Sequence, residues 1–169
     1  PEDTEEVASF ITTWQTDAAG DDTVSGSAQI TLPLAPGGTY DFTVDWGDES
    51  SDVITSADQI LPGEIVPVTH TYASAGTYDV TITGTIDGFG FGYDTGSDST
   101  DADKLTDVKE WGPVVFRNDG GVFMDADSLV SFSATDAPDL SAVTSMYAMF
   151  QYAGSFNGDL AGWDTSSVS

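Results

Sequence analysis

Two stretches of regular alternation constrain the fold of this chain more than any other feature of its sequence. In residues 40–46 and 78–82 every second side chain is aromatic or aliphatic. A period of two is the signature of a β-strand with one buried face. Residues 73–76, just before the second stretch, read Ala-Ser-Ala-Gly and predict a turn, because Gly76 is free to adopt positive φ. The pattern predicts two half-buried strands at one end of a β-sandwich.

The rest of the first half continues this pattern. Residues 7–16 are rich in β-forming side chains, and residues 28–34 alternate again, with Pro33 favouring a strand end or a sheet edge. Turn signals recur every 8 to 12 residues, about the spacing of a sandwich, and no helical period is present. We therefore expect six or seven short strands before residue 86.

The charge of the chain excludes several classes of partner. The 169 residues carry a formal net charge of −26, with 29 acidic side chains against three basic ones. Binding to nucleic acid or to an anionic membrane surface requires basic clusters, which three basic residues do not form. Such an excess of like charge is tolerated in brine, in seawater or with divalent cations, so a halophilic or marine source is one interpretation. An Asp-rich secreted adhesin is the other.

The absence of cysteine restricts how the fold is held together. With no Cys, the chain has neither disulfides nor a thiolate metal site, so packing or bound ions must stabilise it. No transmembrane run and no signal peptide are recognisable, and no direct membrane insertion is expected. Because the chain begins at Pro1 with an acidic tail and ends inside a repeat, we expect it to be part of a longer protein.

Two separated motifs in the first half resemble the PKD family. The first is Trp46-Gly47-Asp48 at a strand end, and the second is His70-x-Tyr72 followed by Gly76-x-Tyr78-x-Val80. The resemblance implies an Ig/PKD-like β-sandwich over residues 7–86, after an acidic tail at residues 1–6. It also implies a spacer or binding module rather than an enzyme.

A weak internal repeat follows in the second half. Residues 139–144 align with residues 164–169 at an offset of 25, and Phe123 aligns with Phe150 at an offset of 27. A period near 25 with regularly placed large apolar residues predicts a stacked solenoid.

These repeats are similar to the BspA-like leucine-rich surface repeats. The similarity lies in Met146-x-x-Met149-Phe150 and in the later Trp163-Asp164, and Trp111-Gly112 fits the first turn of the same array. It implies that residues 87–169 form a linker strand and the start of a β-rich, leucine-rich-repeat-like solenoid. Because isolated solenoids need about three repeats, we expect this one to lean on the sandwich.

No residue pattern predicts catalysis. His70 is the only histidine, and without a second His or any Cys it lacks partners for a zinc site or a nucleophilic triad. Asp45, Asp48, Glu49 and Asp52 surround Trp46, but in a chain with 29 acids such neighbours arise by chance. The PKD resemblance implies that His70 hydrogen-bonds locally at a strand start and that Asp48 is a turn residue, whose carboxylate can accept backbone N–H groups. The chain is therefore predicted not to be an enzyme.

Calcium is the one cofactor that the sequence suggests. Asp94, Asp98, Asp101 and Asp103 lie in a Gly/Ser loop, and clustered oxygen ligands suit Ca²⁺. The EF-hand pattern is absent, so a solvated acidic loop is the alternative. Asp125 and Asp127 form a second, smaller candidate pair.

The four tryptophans allow two interpretations. A flat aromatic platform for sugars is one, and core packing is the other. Trp14, Trp46 and Trp163 fall on strand or repeat positions, which favours the core.

These patterns lead to one function and two alternatives. We expect a non-catalytic, secreted or cell-surface segment that acts in adhesion or ligand binding through stacked repeats, with the PKD-like part as a spacer. Its partner would be a protein or glycan surface ligand, or neighbouring copies of itself. The alternatives are an accessory module of a secreted degradative enzyme and a subunit of a self-assembling surface layer or filament.

Overall fold

The chain is mainly β. The computed structural model describes residues 7–20, 25–56, 60–61, 64–92 and 101–169. Within them no helix has the length and apolar character needed to cross a membrane. The described elements are a 3-10 turn at Ala102–Lys104 and strands β1 (Ser9–Gln15), β2 (Gln29–Leu32), β3 (Leu34–Asp45), β4 (Ser51–Thr55), β5 (Ile60–Leu61), β6 (Glu64–Ile65), β7 (Val68–Thr71), β8 (Thr77–Phe89), β9 (Leu105–Glu110) and β10 (Val114–Val115).

The strands form an open, sandwich-like arrangement. The main sheet has the order β4-β3-β8-β1-β9, and β10 pairs in parallel with the end of β8. β2 and β7 form a second, two-stranded antiparallel sheet, and β5 pairs with β6. The prediction of a β-sandwich is confirmed.

The side chains that alternate as apolar in the sequence are the ones that are buried in the structure. Tyr40, Phe42, Val44 and Trp46 are at most 3% exposed, whereas the residues between them point outward. Pro33 separates β2 from β3, as its lack of an N–H donor predicts. The alternation over residues 78–82 also predicts that Tyr78 is buried in the core with Val80 and Ile82, but Tyr78 is only partly buried.

Tyr78 is only partly buried because it lies near the rim of the sandwich. Its ring stacks on that of Tyr72 with centroids 3.8 Å apart, and its hydroxyl donates to the Ser74 carbonyl of the adjoining turn. The amphipathic ring thus covers the core with one face and reaches the turn with its polar end.

Two strands from beyond residue 86 complete the main sheet. β9 pairs with the outer side of β1, with Thr12 opposite Val108, and Val114 of β10 lies opposite Ile86 of β8. The predicted boundary near residue 86 stays a prediction, and the predicted tail at residues 1–6 lies outside the described residues.

Residues beyond 115 form successive turns whose backbones are joined at a regular interval. The N–H groups of Gly121, Phe123 and Asp125 donate to carbonyls 26 residues later, at Tyr147, Met149 and Gln151. Further backbone links span 24 to 27 residues: Val115 with Asp139, Val130 with Asn157, and Thr144 with Ser169. We call residues 111–169 the stack. Its interval matches the period near 25 read from the sequence.

Aromatic rings fill the inside of the stack and connect it to the sandwich. Phe123 and Phe150, aligned in the sequence, stack with centroids 5.5 Å apart. Trp111 is 1% exposed and contacts both parts, with Phe10 of β1 at 6.4 Å and Phe123 at 6.1 Å between ring centroids. The core is therefore continuous from the sandwich into the stack.

Candidate functional site

The only histidine lies in a compact aromatic cluster at the end of the sandwich. His70 is in β7, and its ring stacks on Trp46 at 4.6 Å and 6° and meets Tyr72 edge-on. Its Nε2 is 2.9 Å from a carboxylate oxygen of Asp48, in the turn after β3. The histidine thus bonds to a loop 22 residues away rather than to its sequence neighbours.

The hydrogen bonds of this cluster stabilise the turn that contains Asp48. The Ser50 N–H donates to Asp48 Oδ1, as predicted for a turn residue. Hydrogen bonds from the Ser50 hydroxyl, and then from His70, hold the pKa of Asp48 below its usual value, although burial acts in the opposite direction. The Ser50 hydroxyl donates to Asp48 and not to His70, so the described contacts of His70 contain no serine–histidine pair of the kind that nucleophilic catalysis uses.

The proposed calcium ligands have different surroundings from those expected. Asp94 and Asp98 lie outside the described residues. Asp101 and Asp103 are 0% and 3% exposed, so the alternative of a solvated loop is wrong for these two. Asp101 accepts hydrogen bonds from the Ser25 N–H and hydroxyl and from the Thr31 N–H. In the described part of the chain, no three acidic or histidine side chains come together as metal ligands.

Calcium binding therefore stays a prediction, with a measurable signature. A calcium site would saturate and raise the free energy of unfolding by about 2.7 kcal/mol at a hundredfold excess over Kd. Monovalent salt acts more gradually, by shortening the screening length from about 10 Å at 0.1 M to about 3 Å at 1 M. We expect both to stabilise the fold, and calcium to act where sodium at equal ionic strength does not. Identical melting curves in the two salts would refute calcium binding.

A buried lysine next to Asp101 was not foreseen from the sequence. Lys104 is 1% exposed, and its ammonium donates to the Ser25 hydroxyl at 2.7 Å and to the carbonyls of Gly26 and Gln29, each at 2.9 Å. Asp101 Oδ1 lies 3.5 Å from the same nitrogen. The ammonium is thus surrounded by oxygen atoms, as a bound metal cation would be.

The tryptophans are mostly core residues. Trp14, Trp46 and Trp111 are at most 1% exposed, which confirms core packing and leaves them no free face for a sugar. Trp163 is partly buried: it stacks on Phe132 at 5.7 Å and 16° and meets Trp111 edge-on at 5.5 Å.

Two tyrosines project from the stack. Tyr147 and Tyr152 are 76% and 70% exposed, the most exposed large apolar side chains in the described chain. They flank a turn in which Ala148 and Tyr152 adopt left-handed backbone conformations, with φ of 53° and 61°. The corresponding residues 27 positions earlier, Gly121 and Asp125, are left-handed as well. The turn shape thus repeats, and here it displays aromatic rings.

A groove crosses three successive turns on another part of the stack. Its volume is about 270 Å³, and it is lined by Trp111, Phe132, Asp136, Asp159, Gly162 and Trp163, with residues 134, 135 and 137 completing it. Asp136 and Asp159 are exposed, and a side chain at Gly162 would meet open space. We call this site the acidic groove.

Many carboxylates act as acceptors for backbone N–H groups. Asp139, Asp159 and Asp164 each bind the N–H two residues on. Others accept an N–H group from a neighbouring turn: Asp107 accepts that of Ser133, and Asp127, one residue of the second calcium candidate pair, accepts that of Gly154. These bonds explain part of the preference for the short Asp side chain in loops.

Two family models match the chain. The PKD domain matches residues 12–87, and DUF285, described as a Mycoplasma protein of unknown function, matches residues 100–169. Comparison with curated proteins and with solved structures gave no match. The matches do not show the BspA-like identity of the repeats. Both matched families are non-catalytic and typical of extracellular or surface proteins, so the chain is similar to a PKD domain followed by a DUF285 domain of that kind.

Proposed function

We propose that the chain is a non-catalytic segment of a secreted or cell-surface protein that acts in adhesion or ligand binding. The stack would be a BspA-like solenoid that contacts a protein or glycan ligand along its outer face, and the sandwich would be its spacer. The single observation that carries this proposal is the display of Tyr147 and Tyr152 from turns joined at a regular interval.

The physical argument concerns exposed aromatic area on an ordered backbone. Tyrosine is enriched in interfaces because it supplies a large contact area and loses little side-chain entropy on binding. Left-handed backbone at a non-glycine residue costs about 1–3 kcal/mol and is maintained only where the surroundings fix it. Here the hydrogen bonds of the Gly121 and Asp125 N–H groups to Tyr147 and Gln151 fix the turn. The two rings are thus presented by a defined backbone.

The test is binding of the chain to a panel of immobilised glycans and extracellular-matrix proteins. We expect wild type to bind at least one panel member, and a Tyr147→Ser/Tyr152→Ser variant to bind it at least about tenfold more weakly, since 1.4 kcal/mol is a factor of ten.

Val53→Ser is the matched control, because Val53 is 66% exposed on β4 of the sandwich. It removes a similarly exposed apolar side chain from the proposed spacer, so binding should be unchanged. Absence of binding to every panel member, or equal losses in the two variants, would contradict the proposal.

A further inference from the structure

We propose that the acidic groove binds the guanidinium group of an arginine side chain presented by a partner protein. This site is separate from Tyr147 and Tyr152, and the inference rests on the proposed function only in that the stack is the binding element. It assigns a partner chemistry to a second part of that element.

The carboxylates of the groove are held by the backbone and retain acceptor capacity. Asp136 Oδ2 accepts the N–H groups of Trp111 and Gly112, at 3.0 and 3.3 Å. Asp159 Oδ1 accepts the N–H of Ala161 at 2.8 Å. In both residues the second oxygen has no hydrogen-bond partner among the described residues. Two oriented acceptors therefore line one small cavity.

The wall of the groove supplies an aromatic surface. Trp163 is partly exposed and is supported from within by Phe132, stacked against it, and by the edge of Trp111. A planar guanidinium can lie on an aromatic ring and donate to carboxylates at the same time, which an ammonium cannot do with the same geometry.

Charge complementarity selects the class of ligand. The groove is lined by two acidic and no basic side chains, and the chain carries −26 overall. Anionic ligands are repelled, and a cationic one is drawn in by the field of the whole protein as well as by the groove. A neutral sugar can pack against the aromatic wall but is not attracted by the negative potential of the protein. The volume of about 270 Å³ is just below the range of small-molecule sites, so it accommodates one side chain rather than an extended ligand.

The test is a titration of the whole chain with N-acetyl-arginine amide, followed by NMR of the four indole N–H signals. We expect the signals of the two groove tryptophans, Trp163 and Trp111, to shift and to saturate while those of Trp14 and Trp46 stay in place, with an affinity that falls as salt is added. N-acetyl-lysine amide should bind more weakly, and N-acetylglucosamine should leave all four signals in place.

The affinities of variants test whether the two groove carboxylates bind the arginine amide. Asp136→Asn and Asp159→Asn retain an acceptor for the backbone, so the turns should persist, and each should weaken binding about threefold, within the 0.2–1 kcal/mol of exposed ion pairs. Asp41→Asn, which removes an exposed charge from β3, is the matched control and should leave the affinity within about 1.5-fold, because distant charges are screened beyond about 10 Å.

Several results would overturn the inference. They are equal losses in Asp41→Asn and in the groove variants, equal binding of the lysine amide, or a Trp163 shift caused by the sugar and not by arginine. None of them affects the tyrosine test, so the two proposals can fail separately.

Discussion

Replacing Lys104 by methionine should cost about 3–5 kcal/mol of the free energy of unfolding, because it removes the buried cation beside the buried Asp101 carboxylate. The carbonyls of Gly26 and Gln29 would lose their ammonium donor at the same time. Since small proteins are stable by only about 5–15 kcal/mol, this single change would remove a large part of the stability. Urea unfolding of the two proteins measures it.

Lys109→Met is the matched control. Lys109 lies 2.7 Å from Asp79, closer than the 3.5 Å between Lys104 and Asp101, but the side chains of this second pair are 42% and 49% exposed. Exposed ion pairs contribute about 0–1 kcal/mol to stability. We therefore expect Lys104→Met to lose more stability than Lys109→Met, because burial and not distance should decide the size of the loss. If both variants lost similar stability, the assignment of Lys104 as an internal cation would be wrong.

Replacing Trp46 by alanine should also cost about 3–5 kcal/mol, the usual loss for a buried tryptophan. Trp46 is 1% exposed, stacks on His70 and donates from its indole N–H to Asp52. The change would leave a cavity and would remove the indole donor of the Asp52 carboxylate. Thermal or urea unfolding checks this, with Val53→Ala on the exposed face of β4 as the control, where less than about 0.5 kcal/mol is expected.

The features that the sequence revealed are those with a local period. Trp46 could be assigned to the core because it ends a run in which every second residue is apolar, and Asp48 to a turn because it closes the Trp46-Gly47-Asp48 motif that resembles the PKD family. The pairing of Phe123 with Phe150 could be read from a fixed offset. In each case the residues that support the prediction are neighbours in the sequence or are separated by one repeat.

The features that were missed depend on contacts between distant segments. The acceptors of Lys104 lie 75 to 79 residues earlier, so the run Asp101-Ala-Asp-Lys104 reads as an acidic loop, although its charges are buried. The acidic groove exists only because turns near residues 111, 136 and 163 come together. Its one sequence signal is the recurrence of Trp and Asp near the repeat boundaries, which is weak among 29 acidic residues.

The continuous core predicts that the stack and the sandwich unfold as one cooperative unit. Native-state hydrogen exchange of wild type and Trp46→Ala tests this directly. Trp46 lies in the sandwich, and each of the two parts contains a hydrogen-bonded backbone amide whose exchange can be followed. The Thr16 N–H, bonded to Gly76, reports on the sandwich, and the Phe123 N–H, bonded to Met149, reports on the stack. We predict that the opening free energies of both amides fall together by about 3–5 kcal/mol in the variant. A fall at Thr16 with no change at Phe123 would show that the stack folds independently, and would contradict the account.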